Sequence, residues 1–264
     1  MKLTLTFLFT LCFLISRGQT LQEIDKNLSS AFAKIDYWSD YDSKDDKIDK
    51  YDSLEKANMD FEEMLLKYTA SNPKTLSYQF KNLSGSGLTI LTSEDGLFRI
   101  YSWDTYTGGT MHFFKNIFQY FNSKGTFNTV PDSNENGGYQ DPGCFYKQIN
   151  NITSENRTYY VTQSTMIGSS ALSYHTIKIF SIDDYGLNDT AKLIKTKTGI
   201  RNELRYEMDF STSSNKNTAR TDINYSPEYD PATKTITIPL IDEDGKLTTR
   251  KIRYRFNGKY FVKV

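Results

Sequence analysis

The sequence predicts an α+β fold: an N-terminal helical hairpin packed on a large antiparallel β-rich body, a sandwich-like or propeller-like meander of hairpins. Three observations predict it. Apolar residues recur at helical spacing over residues 20–70 and alternate at strand spacing from residue 75 onward. No later segment has the pattern of the crossover helix that a parallel sheet requires.

Ahead of the helices, Lys2 precedes the apolar run TLTFLFTLCFLI (4–15), and Ser16 and Gly18 place small residues just before Gln19. This is the pattern of a secretory signal peptide over residues 1–18, cleaved near Gly18. The mature chain, 19–264, is then expected as one α+β domain exported to the periplasm, cell surface or medium. The apolar run falls short of the roughly 20 residues that cross a bilayer, so no membrane span is expected in the mature chain. Cys12 leaves with the signal and Cys144 remains alone, which excludes an intrachain disulfide.

Leu21, Ile24, Leu28, Phe32 and Ile35 form one helical stripe; Ile48, Tyr51, Leu54, Phe61, Met64, Leu65 and Tyr68 form a second. The stretch DYWSDYDSKDD (36–46) breaks the pattern with turn-prone Asp and Ser, the acidic run DYDSKDDKID (40–49) reads as a solvated helix junction, and Pro73 closes the second stripe by forcing Asn72 out of helical backbone. Alternation then begins with TLSYQF at Thr75. It continues through GLTIL, LFRIYSW, TYYVTQ, YHTIKIF, AKLIKT, LRYEMDF, TITIPLI, RKIRYRF and KYFVKV, with turn residues between the runs. DEDG (242–245) and NG (257–258) supply tight hairpin turns.

Composition narrows the function classes. The formal charge is 32 − 32 = 0, and loss of Lys2 and Arg17 with the signal makes it 30 − 32 = −2. No basic stripe or cluster suits nucleic acid or an anionic membrane surface. The 19 Tyr and 17 Phe favour half-buried strands and also suit surfaces that stack on sugar rings. The Lys-, Asn-, Tyr- and Ile-rich style resembles exported proteins of bacteria with AT-rich genomes.

Catalytic and metal motifs are sparse. With only His112 and His175, a three-histidine metal site cannot form, and the G-x-S-x-G elbow of a serine hydrolase is missing. DSNENG (132–137) matches the first half of a calcium loop, but the twelfth position is Gly143 where a bidentate Glu is needed. No metal, cofactor or catalytic residue is therefore assigned.

The stretch Asp95, Gly96, Leu97, Arg99, Ile100, Tyr101, Trp103, Asp104 resembles one strand of a WD-repeat propeller blade. The match occurs once, without the period of roughly 40–50 residues that propeller blades need. The same stretch reads as a hairpin turning at DTYTGG, with Arg99 on a partly exposed face. The residues beyond, Phe114, Ile117, Phe118 and Phe121, also fit a helical stripe.

Tyr101, Trp103, Asp104, Tyr106 and His112 are the candidate ligand-binding residues. The function expected is non-enzymatic: binding of a glycan, peptide or protein partner at the cell envelope. The alternative is a secreted or periplasmic glycoside hydrolase using two carboxylates.

Overall fold

The computed structural model describes residues 19–42, 49–83, 87–131, 141–215 and 226–264. The signal segment 1–18, and all of the candidate calcium loop before Asp141, lie outside the described residues. Among the described residues no helix is long and apolar enough to cross a membrane.

Two helices open the fold. Thr20 starts α1 (Leu21–Asp40) with a capping box: its hydroxyl accepts from the Glu23 N–H at 3.2 Å, and the Glu23 carboxylate accepts from the Thr20 N–H at 2.8 Å. Asp49 caps α2 (Lys50–Ser71), its carboxylate accepting from the N–H groups of Tyr51 and Asp52. Their buried stripes meet through Leu28, Phe32 and Ile35 on one side and Leu54, Phe61 and Leu65 on the other. The rings of Phe32 and Phe61 stand edge to face at 5.1 Å.

Asp25, buried on α1, is the one acid of that stripe. Its carboxylate accepts from the Asn82 N–H at 3.1 Å, the Asn82 amide at 3.0 Å and the Leu83 N–H at 3.2 Å. It thereby ties the chain entering the sheets to the first helix. Asp25→Ala leaves those donors unpaired, an expected loss of about 2 kcal/mol by denaturant titration. A change under about 0.5 kcal/mol, the range of ordinary surface substitutions, would show that the anchor does not matter.

The segment TLSYQF is not a strand. Pro73–Leu76 forms a single 3₁₀ turn, and extended chain follows without ladder partners. Side chains satisfy this backbone instead: the Arg99 guanidinium donates to the carbonyls of Thr75 at 2.6 Å and Tyr78 at 2.8 Å.

Three sheets follow. Hairpin-linked β1 (Thr89–Thr92), β2 (Phe98–Asp104), β3 (Phe114–Asn122) and β4 (Gly125–Thr129) form the first in sequence order. β3 resolves the ambiguity of Phe114–Phe121: these residues pair with β2 from Phe98↔Tyr120 to Asp104↔Phe114, so the strand period wins over the helical one. β5 (Phe145–Ser154), β6 (Arg157–Ile167), β7 (Leu172–Asp183) and the short β8 (Gly186–Asn188) build the second sheet. β9 (Ile194–Thr196) and β10 (Gly199–Arg201) start the third, and β11 (Glu203–Asp209) returns to the edge of β7. β12 (Glu228–Asp230), β13 (Thr235–Ile241), β14 (Leu247–Phe256) and β15 (Phe261–Lys263) complete the third sheet.

Among the described residues the body is antiparallel with one exception. β15 lies parallel to β9, with Phe261 opposite Ile194. No crossover helix is needed, because the connection between them runs through the intervening hairpins. At the β13–β14 turn Gly245 has φ +74°, which lets the Asp242 carboxylate accept from the Lys246 N–H at 2.8 Å.

Strand alternation stacks these parts in layers. Tyr101, Trp103 and Ile117 of the first sheet face the helices, while Phe98, Ile100 and Phe118 face Tyr160 and Phe180 of the second. Val161, Ile177 and Ile179, on the other side of the second sheet, pack on Ile194, Ile236 and Phe261 of the third. The order is helices, first sheet, second sheet, third sheet. β2 is therefore covered on both faces, and this decides what its residues can do.

Candidate functional site

The five candidate residues divide at the end of β2. Tyr101 and Trp103 are completely buried and touch no groove. Trp103 packs edge to face on Phe61 at 5.1 Å, and its indole N–H donates to the Asn58 side-chain oxygen at 3.1 Å. The amide of Asn58 in turn donates to the Thr105 carbonyl at 2.9 Å, so the tryptophan fastens α2 to the sheet. The Tyr101 hydroxyl donates to Gln119, and burial pushes its pKa up to about 12. Arg99, expected on a partly exposed face, is buried as well, with its guanidinium over the rings of Phe80 and Tyr101. The face that alternation assigned to all three is covered, by the helices and, over Arg99, by the segment from Thr75 to Phe80.

Asp104, Tyr106 and His112 lie beyond that cover. They line an open groove of about 370 Å³ together with Asp36, Ser39 and Asp40 of α1. The loop that carries them is tightly built. The Asp104 carboxylate accepts from the Tyr106 N–H at 2.9 Å and pairs with Nδ1 of His112. The Thr105 N–H and hydroxyl both donate to the Phe113 carbonyl. A Cβ on Gly108 would sit 2.0 Å from the Met111 carbonyl oxygen, so only glycine allows the loop to close. The His112 ring stacks on Phe114, and its backbone N–H donates to the Ile167 carbonyl, which fixes the loop to β6.

Tyr106 has φ +56°, a left-handed backbone that is uncommon for a bulky side chain. Strain of this kind is held where the surroundings over-determine it, often at ligand clamps. Here it swings the partly exposed ring to the wall of the groove.

The opposite wall is the last turn of α1, which contains no basic residue. Asp36 and Asp40 stand at the negative end of the helix dipole, where carboxylates disfavour the helix. Lys50 of α2 offsets this at one point by donating to the Ser39 carbonyl at 2.7 Å. Burial and then the Asp40 charge hold the Asp36 carboxyl above its ordinary pKa. Burial, followed by the charges of Asp36, Asp104 and Asp40, raises the Tyr106 phenol. In both shifts burial comes first, and the neighbouring carboxylates of the groove add to it. Beside it Tyr37, Trp38 and Tyr41 form an aromatic trio with centroids 4.9–5.6 Å apart.

Asp36, Ser39 and Asp40 are additions that sequence reasoning missed. Their stretch reads as a helix junction because Asp and Ser favour turns, yet α1 continues to Asp40. Its signal was the clustering of aromatics and acids without Lys over residues 36–42. His175, by contrast, lies in the β-body far along the chain, buried between the hydroxyls of Thr165 and Ser173 and stacked on Tyr206. Among the described residues no three His, Cys, Asp or Glu side chains are grouped to hold a metal ion. Comparison with protein-family models, curated proteins and solved structures found no match to this chain.

Proposed function

We propose that the protein is an exported, non-enzymatic binding protein of the cell envelope, one α+β domain over residues 19–264. Its groove recognises a peptide or protein partner by a basic side chain. The observation that carries this reading is the unfavourable placement of Asp36 and Asp40 at the carboxyl end of α1, facing Tyr106. A lysine or arginine entering there meets carboxylates and an aromatic ring, and its charge offsets the mutual repulsion of Asp36 and Asp40.

Calorimetric titration with a short lysine peptide and its norleucine analogue tests this. The lysine peptide is expected to bind at least about tenfold more tightly, an advantage worth roughly 1.4 kcal/mol. That advantage should disappear in Asp36→Asn/Asp40→Asn and shrink as salt is added. Equal binding of the two peptides would refute the reading. Preferential binding of a neutral oligosaccharide, lost on Asp40→Asn, would transfer the groove to a glycan.

One observation favours a second reading. Asp36, with its raised carboxyl, shares the groove with Asp104, and two carboxyls in different environments are the requirement of a glycoside hydrolase. Turnover of a chromogenic glycoside, abolished by Asp36→Asn, would establish that reading in place of the first.

A further inference from the structure

We propose a second binding groove near the opposite end of α1, one that takes an apolar molecule ending in a carboxylate. It is an open groove of about 560 Å³, within the range of small-molecule sites, lined by Leu21 and Gln22 of α1 and by Lys74, Ser77, Tyr78 and Lys81 of the segment that follows α2. Leu21 and Tyr78, half-buried against the helix–sheet core, give it an apolar floor. Lys74 and Lys81 are exposed, and neither forms an ion pair among the described residues. No carboxylate lines the groove, and the acid nearest Leu21 in sequence, Glu23, is engaged with Thr20 in the capping box.

A third cation lies behind the floor. Arg99 is 4% exposed, and its guanidinium donates to the carbonyls of Thr75 and Tyr78, in the same segment that forms the groove wall. Its remaining contacts are the Thr92 hydroxyl and the faces of Phe80 and Tyr101. Among the described residues it has no carboxylate partner within ion-pair distance. Carbonyl dipoles and rings satisfy its hydrogen bonds but do not cancel its charge. A buried charge is weakly screened, so its potential extends outward through the segment to the groove. Three positive groups around an apolar floor favour a ligand with an apolar body and one anionic end. A small hydrated anion would leave the floor unused, and a neutral lipid would leave the charges unused.

The probe is dodecanoate below its micellar concentration, titrated into the purified protein by calorimetry, with dodecanol and acetate as the two partial ligands. Dodecanoate is expected to bind saturably at one site, about tenfold or more tightly than dodecanol, with acetate weaker than either. Lys74→Ala/Lys81→Ala should remove most of the advantage of dodecanoate over dodecanol, leaving the part that Arg99 supplies. Ser77→Trp, at an exposed position in the groove, should block both, with circular dichroism unchanged in each variant. The proposal is overturned by equal binding of dodecanoate and dodecanol, by affinity unaffected by either variant, or by the absence of saturable binding.

Discussion

Trp103→Ala is expected to destabilise the protein by about 3–5 kcal/mol, the range for deleting a large buried aromatic. The indole is completely buried, edge-on to Phe61, and donates to the side-chain oxygen of Asn58, whose amide joins α2 to the loop after β2. Its removal opens a cavity between helix and sheet and strands a buried amide oxygen. Trp103→Phe separates the two effects, since it fills most of the volume but loses the N–H, and should cost about 1–3 kcal/mol. Chemical denaturation of the variants measures both. A Trp103→Ala protein within about 1 kcal/mol of wild type, the size of a typical point substitution, would mean that the indole is not in the core. Because the residue lies in the core and does not line the groove, loss of binding in that variant would reflect unfolding and not a lost contact.

The second large effect is acid sensitivity set by His175. Burial, with the Lys147 charge second, lowers its pKa from 6.5 to about 4. The unfolded chain therefore binds this proton more tightly than the folded one. The stabilisation is complete above pH 6.5 and drains away as pH falls toward 4, by roughly 3 kcal/mol in all. His175→Gln keeps a side chain able to bond the hydroxyls of Thr165 and Ser173 but cannot be charged. Its unfolding free energy should fall less steeply than wild type across that window. Parallel curves for the two proteins would show that His175 titrates normally. The histidine is a packing residue whose neutrality the fold requires, fixed by the Tyr206 ring and two hydroxyls.

How much of this was legible in the chain depended on periodicity. Both helices and most strands announce themselves, because each buries one face at a regular repeat. β3 was ambiguous because Phe114, Ile117, Phe118 and Phe121 satisfy a helical spacing, while β3 buries residues on both faces and so lacks clean alternation. β5 is hidden for the opposite reason, with Lys147, Gln148, Asn150 and Asn151 in its middle. The candidate site was half legible. The turn after β2 was visible in DTYTGG, and its Asp104, Tyr106 and His112 share one groove. What the chain could not reveal is the third dimension. Alternation states that Tyr101 and Trp103 share a face, but not that helices some 40 residues earlier cover it. Likewise nothing in the local pattern brings Asp36 and Asp40 to the loop at 104–112.

The central claim is that the groove between the end of α1 and that loop is the recognition surface. A map of backbone amide chemical shifts during titration with the lysine peptide tests it most directly. The account predicts saturable shifts confined to Asp36–Tyr41 and Asp104–His112, absent in Asp36→Asn/Asp40→Asn. Shifts that avoid both segments, or that persist in the double variant, would contradict it.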